Sequence, residues 1–444
     1  ACAADGAITE AQTRRHEAAA MVADLSDHQL AFHLDSAVHL AGAELYLDCY
    51  PEAESHAARA MAIGLATGQS ELVPLASILG QVRLLRGQLA EAADMLDNAV
   101  DGARLSGNVQ ALVGDLINRS LTAVAAGDID LALGTAQETV ELTEGLDQSL
   151  VCAAGVATAA ALLETGNPGR AVDILLRSSG GEELLLIPGV WRARSLELLT
   201  RCWLALGRPR EAARAASLAE TVAARLTLRV ARSMADRALA AVALATGTPD
   251  VAAQHALASA VTADEVGTPV DAALSRTLAG RALARAGERD RAIAQLGQAA
   301  EVFHACGALR YRAAAEFELR RLGQRIHRRT KPGDPHKSGV QSLTSRELEI
   351  ALDEGRAAEE FCFGHPGPVG TSSRTEPLRI EGREPPPAER APLTSRADGR
   401  PSLGTIVDAE GEREPGSEDE RGHAHALEIA ERTLPERHES RGGQ

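Results

Sequence analysis

Among the residues able to do chemistry, Glu197, Arg201, Arg237 and Arg281 stand out: one carboxylate and three guanidiniums, with Glu197 and Arg237, and Arg201 and Arg281, separated by multiples of about forty residues. A guanidinium presents parallel N–H donors that take a carboxylate or phosphate two at a time. The same residue types also make ion pairs between neighbouring elements. Either an anion-binding groove or a ladder of internal ion pairs fits them.

Other chemistries lack their parts. The chain contains no G-x-S-x-G and no H-E-x-x-H, and no carboxylate pair stands in a recognisable catalytic setting, so it reads as a binder rather than an enzyme. No cofactor is called for. His423 with His425, and Cys362 with His365, lack further ligands at fixed spacing, so no metal site is expected. The only lysines are Lys331 and Lys337; His336 precedes Lys337 where a phosphate-cradling loop needs glycine.

The elements that must position the arginines announce themselves by period. Gly87, Gly127, Gly166, Gly207, Gly247 and Gly287 recur at steps of 40, 39, 41, 40 and 40 residues. Five residues after each comes Ala: Ala92, Ala132, Ala171, Ala212, Ala252 and Ala292. Seven before each stands a small residue (Gly80, Ser120, Ala159, Thr200, Ala240, Gly280), and twelve after each another (Ala99, Thr139, Ser178, Ala219, Ser259, Ala299). Asp48 takes the glycine place of an earlier unit, with Ala41, Ala53 and Ala60 around it. A glycine just past a helix supplies the left-handed residue that ends it, and small residues let two helices approach closely. Each unit is then a helix hairpin that must stack on its neighbours to cover its apolar face.

Composition agrees. Of 444 residues, 45% are hydrophobic but only 2% aromatic, so the core is built from Ala, Leu and Val, which suits helices. The net charge of −16 repels phosphate, and nucleic-acid contact would need a local basic patch. One such run is Arg320, Arg321, Arg325, Arg328, Arg329, Lys331 and Lys337. It reads either as phosphate attraction or as the solvated end of a last helix with its linker. The six cysteines are widely spaced, as reduced thiols in a cytoplasmic protein would be, and no apolar run reaches membrane-spanning length.

The lattice of small residue, Gly, Ala and Ala resembles the tetratricopeptide repeat, with a period of 40 instead of about 34. The extra residues are expected in loops between hairpins, such as "RLSGNVQA" and "SSGGEELLLIPG". The resemblance implies an all-α solenoid of about seven units over 28–330, after a lead-in segment 1–27. It also implies that the first helix of each hairpin lines the concave groove, which would bring Glu197, Arg201, Arg237 and Arg281 there. Trp191 and Trp203 are expected in the core.

At finer grain, "HLAGAELYLDCYPEA", "LIPGVWRARSLELLTRCWLALGR", "ALSRTLAGRALARAGERDRAI" and "ACGALRYRAAAEFELRRLGQRIHRR", followed by "LTSRELEIA", resemble the C-terminal part of large ATP-binding regulators of the LuxR family. Such regulators join an ATPase, a helical-repeat sensor and a C-terminal helix-turn-helix. This chain carries no ATPase motif, so nucleotide control is not implied. After a linker at 331–342, the resemblance places a LuxR-type helix-turn-helix at 343–400. There Leu343–Glu347 open a first helix, Thr344 capping it and Glu347 completing a capping box. Arg346, Ser372, Arg374 and Thr375 fall where the family meets DNA.

That domain departs from the family pattern. Glu376 replaces an apolar core residue, and Pro385, Pro386 and Pro387 fall within the stretch matching the recognition helix, where they forbid it. A tail at 401–444, rich in Glu, Arg, Gly and Pro, is expected to be disordered. Two readings result: a LuxR-type transcriptional regulator whose repeats sense a ligand or partner and whose DNA binding is impaired, or a tetratricopeptide-like interaction module without DNA binding.

Overall fold

In the computed structural model the described residues are 6–69 and 72–324, all within one packed unit. The expectations for 331–342, 343–400 and 401–444, including Arg346, Ser372, Arg374 and Thr375, lie outside them.

The described chain is helical throughout. A lead-in helix α1 (Ile8–Asp24) and a short α2 (Asp27–Leu30) precede seven hairpins. These are α3 (Leu34–Tyr46) with α4 (Tyr50–Ala66), α5 (Val73–Leu85) with α6 (Leu89–Ser106), and α7 (Val109–Ala126) with α8 (Ile129–Leu142). Next come α9 (Gln148–Glu164) with α10 (Pro168–Ser179), α11 (Gly189–Ala205) with α12 (Pro209–Leu226), α13 (Arg229–Ala245) with α14 (Pro249–Val266), and α15 (Pro269–Arg285) with α16 (Arg289–Cys306). A further helix, α17 (Leu309–Arg321), follows the seventh hairpin.

The glycine clock ends the first helix of each hairpin. Gly87, Gly127, Gly166, Gly207, Gly247 and Gly287 all have positive φ, and Asp48 does the same at φ 61°. Acidic and amide side chains tolerate that conformation better than most, so Asp48 can stand where the other units need glycine. The next helix then opens on Pro at its first turn in α4, α10, α12 and α14, where a missing N–H costs nothing.

The small-residue lattice lies where the helices touch. Ala92, Ala132, Ala171, Ala212, Ala252 and Ala292 are fully buried, as are Ser120, Ala159, Thr200 and Ala240. A Cβ on Gly80 would come 2.5 Å from Leu96 Cγ, and a Cβ on Gly280 would come 2.5 Å from Leu296 Cγ. Five units apart, the same contact is made by the same pair of residue types. Backbone closeness, not side-chain bulk, sets the spacing of each hairpin.

The long period has a different origin from the one its sequence suggested. "RLSGNVQA" is no loop: α6 runs to Ser106, Gly107 turns left-handed, and the Asn108 side chain caps α7. The six extra residues per unit mostly lengthen helices, many of which run 17 or 18 residues. Only "SSGGEELLLIPG" behaves as expected, with a connection between Ser179 and Gly189.

The first helices also pack on one another, α5 on α7, α7 on α9 and α11 on α13, and so form an inner layer. The solenoid turns tightly enough to meet itself. Asp48 Oδ2 accepts a hydrogen bond at 2.9 Å from the Val230 N–H, 182 residues on. A Cβ on Gly87 would lie 2.9 Å from Pro269 Cγ, and one on Gly127 would lie 2.9 Å from Arg310 Cβ. The first three hairpin turns therefore touch the start of the inner helix five units later: α13, α15 and α17 in succession. One apolar cluster accordingly joins Ile8, Leu45, Leu47 and Tyr50 to Leu226, Leu228 and Val230.

Candidate functional site

Because the turns close on one another, the inner helices surround a cleft of about 390 Å³. Tyr46 of α3 and Tyr311 of α17 both line it, so the cleft draws on inner helices from the first hairpin to the last helix described. Its volume lies in the range of small-molecule sites.

One wall is apolar. Leu84 of α5, Ile117 and Leu121 of α7, and Leu150 and Val156 of α9 face the cleft. Trp191 stands beside them and packs edge-on against Tyr46, ring centroids 5.6 Å apart. Trp191, placed in the core by sequence, packs against that core and also borders the cleft. Trp203 is partly buried in the core, with the Arg208 guanidinium 5.7 Å from its ring centre.

The opposite wall is a ladder of charge. Arg237 of α13 lies between two carboxylates: its Nε donates to Glu197 Oε1 at 3.0 Å, and Nη1 donates to Asp271 Oδ1 at 2.9 Å. Arg194 of α11 donates to Asp271 Oδ2 at 2.7 Å. Arg201, one turn beyond Glu197, brings its Nε 3.2 Å from Glu197 Oε1 and its Nη1 3.9 Å from Glu164 Oε1. Arg310 of α17 places its Nε 3.1 Å from Glu164 Oε2. The ladder ties α9, α11, α13, α15 and α17 together.

Burial and pairing compete at each rung. Burial pushes the Asp271 carboxyl up, but Arg194 and Arg237 outweigh it and hold the group well below the usual carboxylate range. Glu197 is likewise lowered on balance, Arg201 and Arg237 overcoming its desolvation. Arg237 stays above the ordinary guanidinium value despite burial, because two carboxylates flank it. Burial pushes the Tyr311 hydroxyl up to about 12.

Glu197, Arg201 and Arg237 therefore share the cleft wall, and the internal ion-pair reading accounts for Glu197 and Arg237. Arg281 is not with them. It is exposed, with Nε 3.3 Å from Glu318 Oε1 of α17, and borders a separate small recess. It occupies the same lattice position as Arg201, but the last inner helix offers it a carboxylate on the rim instead of open cleft. Arg320 and Arg321, the first two members of the basic run, lie near Glu316 (3.8 Å) and Glu318 (3.3 Å) of their own helix.

Sequence reasoning missed Arg194, Asp271, Glu164, Arg310 and Tyr311. For Arg194 a signal existed: Arg194, Glu197 and Arg201 follow i, i+3, i+7 spacing on one face of α11. Tyr311 reaches the cleft, and Arg310 reaches Glu164, only because the solenoid closes, which periodicity does not encode. The four described cysteines, Cys49, Cys152, Cys202 and Cys306, form no disulfide. Among the described residues no helix is long and apolar enough to cross a membrane.

Stacked antiparallel hairpins with small-residue seams and an inner layer of first helices define a tetratricopeptide-like solenoid. No protein-family model matches the chain, and no curated protein is found as a relative. Among solved structures, a Rap protein complexed with competence and sporulation factor is similar at 14% identity over 72% of this chain and 94% of its own, with a TM-score of 0.47. A tetratricopeptide repeat protein from Parabacteroides merdae is similar at 15% identity over 64% of this chain and 98% of its own (TM-score 0.35). A signal transduction ATPase with a tetratricopeptide repeat sensor from Pyrococcus horikoshii is similar at 11% identity, covering 64% of this chain and 53% of its own (TM-score 0.38).

Proposed function

We propose that this chain is a helical-repeat binding module whose inner cleft takes a small effector, and that the module serves a LuxR-type transcriptional regulator. The observation that carries the first part is the cleft itself. A ligand held there would touch inner helices of hairpins far apart in sequence, and so would tighten or loosen the closure between turns of the solenoid. A binding event becomes a change in how the turns pack, with no chemistry required. Hydrogen exchange tests this: a compound that raises the melting temperature should slow exchange in α7, α9, α11 and α17 together. Slowing confined to one outer helix would count against it.

The regulator reading is supported by the LuxR resemblance ending in "LTSRELEIA". Its departures, Glu376 and the Pro385–Pro387 run, favour a binding module that acts on a protein partner without reading DNA. A mobility-shift titration of the full chain at low salt separates the two. Retarded DNA whose binding falls steeply with added salt supports the regulator; no retardation at any salt concentration leaves the binding module alone.

A further inference from the structure

We propose that the cleft takes a small amphiphile whose single carboxylate seats on Arg201 and whose apolar tail lies along α7 and α9. The inference rests on the cleft being the binding site and deepens it by naming the class of ligand.

Arg201 is the arginine of the ladder that makes no hydrogen bond among the described residues; Arg194 Nε is also buried without a partner, but the other two nitrogens of Arg194 bond Asp271. Arg194 places two nitrogens on Asp271, Arg237 joins Glu197 to Asp271, and Arg310 lies on Glu164. Both carboxylates near Arg201 are thus already engaged by other arginines. Its Nε is buried, yet it finds no hydrogen-bond partner among the described residues, since Glu197 at 3.2 Å lies off the donor axis. Glu164, at 3.9 Å from Nη1, is beyond hydrogen-bond reach. A guanidinium carries five donors, and leaving them unmade in a partly buried site is unfavourable. The side chain is 36% exposed and lines the cleft, so a ligand can reach it.

The surroundings select the head group. A carboxylate matches the planar guanidinium and can take two parallel N–H bonds. Glu164 and Glu197 flank the same guanidinium and would repel a dianion more strongly than a monoanion. Tyr311, whose hydroxyl is protonated at neutral pH, borders the same cleft and can donate to an anion. Beyond the head, Ile117, Leu121, Leu150 and Val156 offer apolar surface and no charge. A peptide would bring backbone amides to that wall with little to pair them, whereas an alkyl or aryl tail loses nothing there.

The test uses the full chain, calorimetry, and three probes below any micelle-forming concentration: decanoate, decan-1-ol and acetate. Decanoate should bind at least about tenfold more tightly than decan-1-ol, the factor expected of one charge-assisted pair of hydrogen bonds, and acetate should not bind measurably. In Arg201→Gln the preference for decanoate should vanish while decan-1-ol binding persists, which also shows that the variant is folded. Equal affinity for decanoate and decan-1-ol in the wild type would overturn the carboxylate inference but leave the cleft as a binding site. A preference that survives Arg201→Gln would overturn the role of Arg201. Failure of decanoate and decan-1-ol alike would remove both the inference and the reading beneath it.

Discussion

The Asp48 carboxylate accepts a hydrogen bond from the Val230 backbone N–H at 2.9 Å, although 182 residues separate them. Asp48 is the left-handed residue that ends the first helix of the first hairpin. Val230 lies in the first turn of α13, whose own capping residue, Leu228, supplies no side-chain bond. One turn of the solenoid thus provides the missing helix cap of the next. This bond belongs to the closure that turns an open groove into a surrounded cleft.

Replacing Asp48 tests that closure. Asp48→Ala removes the cap and puts alanine at φ 61°, so it should cost roughly 1–2 kcal/mol for the cap and about 1 kcal/mol more for the backbone. Asp48→Gly removes the cap but suits the conformation, and Asp48→Asn keeps an acceptor and tolerates the backbone. Denaturant melts should rank the losses Ala, then Gly, then Asn. Equal losses for Ala and Gly would mean that the left-handed backbone carries no strain there.

Two glycines should respond to alanine in opposite senses. Gly80→Ala sets a methyl 2.5 Å from Leu96 Cγ, a buried side chain with no room to move, and should cost roughly 1–3 kcal/mol. Gly134→Ala on α8 meets nothing within 4 Å and should stabilise by about 0.5–1 kcal/mol through helix propensity. Thermal melts of the two variants check the seam geometry directly.

Arg237 holds two buried carboxylates. Arg237→Ala leaves Asp271 to Arg194 alone and Glu197 to the poorly aligned Arg201, and should cost up to about 3–5 kcal/mol. Much of that should return in the variant Arg237→Met, Glu197→Gln, Asp271→Asn, Arg194→Met, Arg201→Met, which leaves no ladder charge between α11, α13 and α15 unpaired, since the loss comes from unpaired charge more than from lost attraction. Urea titrations of the single and multiple variants decide between an ion-pair penalty and a packing defect.

Asp115 and Asp271 should tilt the pH profile in opposite directions. Burial, slightly offset by the nearby Ser77 hydroxyl, raises Asp115 to about 6, and both of its oxygens lack a hydrogen-bond partner. A raised carboxyl binds its proton more tightly folded than unfolded, so its contribution is greatest below about pH 4 and is lost as pH rises to about 6. Asp271, held low by Arg194 and Arg237 against its burial, contributes above about pH 4 and loses that contribution in stronger acid. Asp115→Asn should flatten the stability slope between about pH 4 and 6 and raise neutral stability by about 1–3 kcal/mol. An unchanged slope in that variant would place the pH response elsewhere.

Much of this fold was legible because its determinants are local and repeated. Gly87 to Gly287, and even Asp48, mark helix ends through one backbone conformation, and the small residues mark helix contacts through one steric requirement. The cleft was only half legible. Glu197, Arg201 and Arg237 sit on inner helix faces that the repeat register assigns. Arg281 shares that register yet leaves the cleft, and Tyr311 enters it, because each outcome depends on where the solenoid meets itself. The number of hairpins per turn comes from small angles summed over seven units, and no single residue states it. The six extra residues per unit misled for a related reason: helix length and loop length have the same effect on a period.

The central claim is that the inner helices form a ligand site. A calorimetric titration of decanoate into the full chain and into Val156→Trp, whose indole fills the cleft from α9, tests it most directly. Saturable heat in the wild type and none in the folded variant is the result expected. The same isotherm in both would place the amphiphile elsewhere on the protein and contradict the claim.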